Sequence, residues 1–393
     1  MIPSYYEFIN SVKILSGKNA LENIPAELRG FEARKPILLT DKMLVKIGLA
    51  QQVVDACGGS EIVIGAMYDD IPPDSSVEVV NDIVHVYRET GCDSVIAVGG
   101  GSVIDTAKGV CICLTEGTDD LLDHMGVDIL RRRKTPFVVV PTTAGTGSEV
   151  TGVAVIANPA KNVKMEFVSA NILPDVAVLD VRMTKSLPPR LTASTGMDAL
   201  VHAIEAYTCL QRNPLSDAHA HAAINLIRKY LPRAVRDGKD EEARLAMANA
   251  SLLAGVAFSN SMVGIVHAVG HACGGVLRAP HGDCMAILLP YGMEYNLSAV
   301  SERYAELLLP LAGPEVYART SASQRAEKSI ETVREMSAEY SRICGLPTKL
   351  REVGVKKEDF SAIARAAVND GAMIVNPVEA DEDDVLGILE KAY

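Results

Sequence analysis

Short apolar runs alternate with stretches of helical period through the first half of the chain, a pattern that predicts a parallel α/β sheet. Pro36-Ile-Leu-Leu-Thr-Asp41 reads as a buried strand, followed by a helix through Leu44–Cys57. Glu61-Ile-Val-Ile-Gly65 reads as the next strand, and Val77–Glu89, entered by Pro72, Pro73, Asp74 and Ser75, as an amphipathic helix. Ser94-Val-Ile-Ala-Val98 is a third strand, running into Gly99-Gly-Gly-Ser102 and a helix through Asp105–Leu114. Thr135-Pro-Phe-Val-Val-Val140 is a fourth, and Val153–Ile156, Val163–Val168 and Val176–Leu179 read as further strands. Past Leu187-Pro-Pro189 such runs all but vanish, and helical periodicity holds to Tyr393. The expected organisation is an α/β domain over residues 1–185 and an all-α domain over 186–393.

The length of 393 residues suits two domains of ordinary size. A net charge of −12 argues against nucleic acid or an anionic membrane as the main partner. No uninterrupted apolar run is long enough to span a bilayer, and the first residues lack the basic start and apolar stretch of a secretory signal. The eight cysteines are scattered with no Cys-x-x-Cys pair, so reduced thiols and a cytoplasmic location are expected. Cys111-Ile-Cys113 lies on an apolar helix and reads as core packing rather than a metal site. The charge runs Arg131-Arg-Arg-Lys134 and Glu379–Asp384 read as solvated surface, the acidic one also favouring a helix N-terminus.

Two loops carry candidate chemistry. A glycine-rich turn between a parallel strand and a helix gathers backbone N–H groups at the positive end of the helix dipole, where a pyrophosphate can sit. Gly99-Gly-Gly-Ser102 has that placement without the GxGxxG spacing, and taken alone it serves equally well as a tight structural turn. Pro141-Thr-Thr-Ala-Gly-Thr-Gly-Ser-Glu149 follows the next strand, and ligands of open α/β sheets bind at that edge. Two such strand ends in succession favour a nucleotide. Asp41, at the end of an early strand, suits either an adenosine ribose or a helix N-cap.

The second half holds a cluster of metal-ligand types. Asp198 and His202 stand four apart, as do His267 and His271, and His281 follows in Pro-His-Gly. A four-residue spacing puts two side chains on one helix face, one turn apart. Two such helices and a loop histidine can surround one divalent ion. Imidazoles with one carboxylate suit Fe(II) or Zn(II), with a substrate oxygen entering as a fifth ligand or one histidine standing outside the ligand set. His219-Ala-His221 reads as unrelated to the site.

The longer motifs are recognisable. Gly99-Gly-Gly-Ser-Val-Ile-Asp-Thr-Ala-Lys108, Pro141-Thr-Thr-Ala-Gly-Thr-Gly-Ser-Glu-Val-Thr151, the segment from Leu187 to Tyr207, His267-Ala-Val-Gly-His271 and Pro280-His-Gly282 follow one pattern. With Val375-Asn-Pro near the C-terminus, the chain closely resembles the iron-containing (group III) alcohol dehydrogenases from end to end. The resemblance implies an N-terminal Rossmann-like dinucleotide-binding domain with a parallel sheet and an all-α C-terminal domain, the dehydroquinate synthase-like fold, with a cleft between them. It implies metal ligands at Asp198, His202, His267 and His281, with His271 lining the site without being a ligand; a proton is then expected to arrive through His271 or a water chain. It places NAD(H) on Gly99, Gly100, Gly101, Ser102, Asp105, Thr142, Thr143, Thr146 and Ser148, with Asp41 favouring NAD over NADP and Lys164 near the nicotinamide. Family members are commonly homodimers or larger homo-oligomers. One departure stands out: Asp283-Cys-Met285 follows His281-Gly where the family often has a segment ending in Asn-Ala.

The implied activity is metal-dependent hydride transfer between nicotinamide and a small alcohol or aldehyde. Phe258, Met262 and Ile265 are candidate apolar walls, which suits a short aliphatic substrate. The alternatives are a glycerol dehydrogenase-like enzyme for polyols or hydroxy acids on the same fold, and a non-catalytic cofactor-binding scaffold.

Overall fold

The computed structural model describes residues 2–161 and 163–393. The chain divides into two compact units, an α/β unit of Ile9–Thr143 and Gly147–Ser186 and a helical unit of residues 2–8, Ala144–Thr146 and Leu187–Tyr393.

In the α/β unit the strands are β1 (Lys13–Gly17), β2 (Pro36–Leu39), β3 (Ala66–Tyr68), β4 (Ser94–Gly99), β5 (Gly126–Val127), β6 (Phe137–Pro141), β7 (Val153–Asn158), β8 (Val163–Val168) and β9 (Val176–Asp180). Among the described residues, six form one parallel sheet in the order β1-β9-β6-β4-β2-β3. Its helices are α1 (Ile24–Gly30), α2 (Lys42–Lys46), α3 (Leu49–Cys57), α4 (Val77–Thr90), α5 (Gly101–Glu116) and α6 (Val181–Thr184). Successive strand residues point to opposite faces, and here both faces are covered. Ile37, Leu39, Val95 and Ala97 pack with Val80, Ile83 and Val103 of α4 and α5. Leu38, Ile96 and Val98 pack with Leu21, Leu28 and Val53 on the other side. Strands buried on both faces give continuous apolar runs, which is why β2, β4 and β6 were readable from the sequence.

Several details differ from expectation. β1 pairs with β9 at the sheet edge, half exposed and without an apolar run to betray it. The strand expected at 61–65 lies at Ala66–Tyr68 instead: Val63 and Gly65 donate backbone bonds to Arg34 and Pro36, but regular pairing with β2 begins only at Ala66. β7 and β8 stand outside the parallel sheet, forming an antiparallel pair joined by β5. The helix expected over 44–57 is two, broken at Gly48, whose φ of 81° no ordinary helical residue adopts. Arg133, read as solvated, is half-buried, with its side chain only 9% exposed and paired with Asp175 at 2.8 Å. Cys111 and Cys113 are buried in the core, as expected.

The helical unit comprises α7 (Pro189–Thr208), α8 (Pro214–Arg236), α9 (Glu241–Ser259), α10 (Ile265–Leu277), α11 (His281–Ala312), α12 (Pro314–Arg319), α13 (Arg325–Cys344), α14 (Phe360–Val368) and α15 (Glu382–Ala392). α7 is buried on nearly every side, with a core of Met197, Leu200, Val201 and Ile204 against Ile224, Ile227, Val266 and Leu288. The acidic run near the C-terminus starts α15, where Asp381 and Asp384 form a capping box. No helix among the described residues is long and apolar enough to cross a membrane.

Candidate active site

Helix α7 holds Asp198, His202 and Glu205 at positions i, i+4 and i+7, one face of two turns. α10 carries His267 and His271, and α11 opens with His281. These three helices bring the candidate ligands together. One Asp198 oxygen, Oδ1, lies 3.3 Å from His281 Nε2 and 3.9 Å from both His267 Nε2 and His202 Nδ1. The ligand atoms of Asp198, His267 and His281 all fall within 4.8 Å of one another.

Asp198 Oδ1, His202 Nδ1 and His267 Nε2 are buried and have no hydrogen-bond partner. Unpartnered buried polar atoms are rare because each costs about 1–3 kcal/mol. Ligands about 2.0–2.2 Å from a common ion stand roughly 3–3.5 Å apart, near the spacings seen here. Burial pushes the His202 imidazole down to about 3 and His267 well below its ordinary value, so both are neutral with a lone pair free. Burial alone would raise the Asp198 carboxyl, but the surrounding imidazoles outweigh it and keep the group ionised. An anionic oxygen among neutral imidazoles is a donor set that fits Fe(II) or Zn(II).

Around this cluster, Phe258 stacks on His202 at 4.3 Å between centroids. Met262 is partly buried and Ile265 fully so. His271 is 40% exposed, with its ring 5.5 Å from and nearly parallel to His281. Its Nδ1 meets Asp370 Oδ2 at 2.9 Å. Glu205 Oε2 meets His267 Nδ1 at 2.5 Å, and Glu205 Oε1 accepts from the Val266 N–H. Burial pushes its carboxyl up to about 7, with the backbone N–H groups of Gly264 and Val266 opposing the rise. Sequence reading passed over Glu205 and Asp370. For Glu205 the signal was present: a third polar residue on the Asp198/His202 face. Asp283 is occupied by Arg190 at 2.8 Å. His219 rests against Phe8, apart from the cluster.

In the α/β unit, β4 and β6 are in register from Val95↔Phe137 to Gly99↔Pro141, so the two candidate loops leave the sheet edge side by side. Thr142 N donates to Gly99 O at 3.0 Å. A Cβ on Gly100 would stand 3.3 Å from Thr143 Oγ1, and one on Gly99 would strike Val103 at 2.5 Å. The first turn of α5, Gly101 and Ser102, follows directly. Asp41 Oδ1 caps α2 by accepting from Leu44 N at 2.9 Å. Asp105 and Ser148 belong to a network beneath the loop: Ser148 donates to Asp105 at 2.8 Å, and the buried Lys108 amine donates to Ser148, Thr151 and Val153 O. Thr146 groups with the helical unit. Lys164 is exposed on β8, opposite Ala157.

Residues 11–181 match the family described as iron-containing alcohol dehydrogenase, and residues 192–393 match the Fe-containing alcohol dehydrogenase family, C-terminal. The chain belongs to the iron-containing alcohol dehydrogenase family. It is 37% identical over 376 residues to an NAD-dependent methanol dehydrogenase of Bacillus methanolicus, covering 96% of this chain and 97% of the relative. It is 38% identical over 380 residues to a 1,3-propanediol dehydrogenase of Klebsiella pneumoniae, covering 96% of each. A solved 1,3-propanediol oxidoreductase superposes with a TM-score of 0.94 at 36% identity, covering 99% of this chain and 100% of that one. As a member of the iron-containing alcohol dehydrogenase family, the chain is an NAD-dependent oxidoreductase acting on alcohols. The parallel sheet and helical C-terminal region expected from the sequence are both present.

Proposed function

We propose that the chain interconverts small alcohols and aldehydes with NAD(H), using Asp198, His202, His267 and His281 as the ligands of one Fe(II) or Zn(II). The observation that carries this reading is the trio of buried, unpartnered atoms on Asp198, His202 and His267 facing one another. The bound metal supplies Lewis acidity toward the substrate oxygen. His271 is the proton-transferring residue: Asp370 takes its Nδ1–H, which leaves Nε2 to accept or return the substrate proton. The α/β unit is the dinucleotide-binding domain and the helical unit the metal and substrate domain. The N–H groups of Gly99–Ser102 at the start of α5 bind the pyrophosphate. Thr142, Thr143, Thr146 and Ser148 surround the cofactor, with Asp105 supporting Ser148 from below. Asp41 uses its second carboxylate oxygen for the ribose, and Lys164 stands near the nicotinamide. The relatives that act on methanol and 1,3-propanediol support short alcohols and diols as the substrate class. The protein works in the cytoplasm as a homodimer or larger homo-oligomer.

The test is metal-free protein prepared anaerobically, with NADH oxidation followed against short aldehydes and hydroxyaldehydes while Fe(II) or Zn(II) is titrated. Activity is expected at about one metal per chain, and Asp198→Ala is expected to lose metal and activity together. Silence with every aldehyde and both metals, despite NADH binding, overturns the reading.

A further inference from the structure

Helix α10 delivers His267, yet it starts at a residue with no side chain to cap it, Gly264. Its first N–H groups are satisfied from distant parts of the helical unit. Asn376 Oδ1 accepts from Ile265 N at 3.0 Å, and Glu205 Oε1 accepts from Val266 N at 2.7 Å. A Cβ on Gly264 would stand 2.7 Å from Asn376 Oδ1 and 3.2 Å from Glu205 Oε1, so the two caps approach only because that position is glycine. Asn376 is itself anchored, exchanging two bonds of 2.9 Å with Asn296 and donating to Val378 O. The second oxygen of Glu205, Oε2, meets His267 Nδ1 at 2.5 Å.

An ionised carboxylate only accepts hydrogen bonds, and a neutral imidazole carries one N–H and one lone pair. Ionised Glu205, a form that the Val266 N–H on its Oε1 favours, places the hydrogen on Nδ1 and leaves Nε2 bare, and Nε2 is the atom that faces Asp198. We propose that Glu205 is a positioning residue: one carboxylate oxygen fixes the tautomer and ring plane of His267 while the other, with Asn376, sets where α10 begins. The inference rests on His267 being a metal ligand. Carboxylates that orient a ligating histidine in this way contribute about 10–100-fold to metal affinity.

Glu205→Gln is the isosteric test. A side-chain amide has one acceptor oxygen for the two N–H donors here, so it either opposes Val266 N–H or favours the His267 tautomer with hydrogen on Nε2. Asn376→Ala is the control, since it removes an α10 cap without touching His267. Metal-free proteins are titrated anaerobically with Co(II), reading the visible ligand-field spectrum and, by chelator competition, the affinity; thermal unfolding is measured on the same samples. Glu205→Gln is expected to weaken Co(II) binding about 10–100-fold and to alter the spectrum. Glu205→Asp, which keeps the charge but shortens the reach, should recover part of the affinity. Asn376→Ala should lose stability while keeping affinity and spectrum close to the wild type. Wild-type affinity and spectrum in Glu205→Gln overturn the proposal, as does a loss that tracks thermal stability equally in Glu205→Gln and Asn376→Ala. If Glu205→Gln does not fold, Glu205→Asp with undiminished affinity overturns it. His267→Ala separates the two claims: wild-type Co(II) binding there refutes His267 as a ligand, whatever Glu205 does.

Discussion

Gly270 sits between His267 and His271 on α10, packed against α11. A Cβ added there would stand 1.8 Å from Met285 Cε, 3.4 Å from its Sδ and 3.8 Å from Cys284 Cβ. Carbon atoms pack at about 3.5–4.0 Å, so the methionine methyl would have to retreat by roughly 2 Å. Met285 is wholly buried in the helical core, where there is little room to retreat. Overpacking of this kind costs about 1–3 kcal/mol. Alanine in place of glycine within a helix returns about 0.5–1 kcal/mol. Gly270→Ala should therefore destabilise the helical unit by about 0–2.5 kcal/mol, centred near 1 kcal/mol. Gly275, exposed on the same helix with nothing within 4 Å of an added Cβ, provides the contrast. Gly275→Ala should stabilise by about 0.5–1 kcal/mol. Thermal unfolding of the metal-free variants is the assay, at about 2–4 °C per kcal/mol for a unit of this size. Met285→Ala, damaging alone through its cavity, should cost less in the Gly270→Ala background than in the wild type. Equal behaviour of the two glycine variants, or strict additivity with Met285→Ala, would refute the packing argument.

His271→Ala should lower turnover and change the pH profile with metal content intact; stoichiometric loss of metal would make His271 a ligand. Burial lowers the Lys108 amine to about 8 from an ordinary 10.5. The unfolded chain then holds that proton more tightly than the folded one, so the penalty is full below pH 8 and fades as pH rises to about 10.5. Relative to non-titrating Lys108→Met, the wild type should gain about 3 kcal/mol across that window in urea unfolding. A flat difference would show that the amine is not desolvated as described.

What the sequence made legible follows from which interactions are local. β2, β4, β6 and β9 were readable because doubly covered strands need unbroken apolar runs, whereas half-exposed β1 carried no such mark. The Asp198/His202 and His267/His271 spacings announced two helices turned toward something, since four-residue spacing is a property of one helix face. Glu205 with His267, His271 with Asp370 and Ile265 with Asn376 join residues 62, 99 and 111 positions apart, pairings that helical period cannot report. Asp41 had two readings in sequence, and the cap on Leu44 is the one formed within the chain's own backbone. Arg133 was misread because a run of like charges conceals the single member that turns inward to Asp175.

The near-complete burial of α7 also limits how this protein can vary. From Thr192 to Thr208 only Thr195 escapes full enclosure. A helix with no outward face has no position where a substitution is silent. A one-residue slip would turn it by about 100° and carry Asp198, His202 and Glu205 off their common face. Sequence drift is thereby diverted to neighbours with open sides, such as the exposed stretch of α10 around Gly275 and Val276. New substrate preferences in descendants of this chain should accumulate around half-buried Phe258, which stacks on His202, while α7 stays as it is.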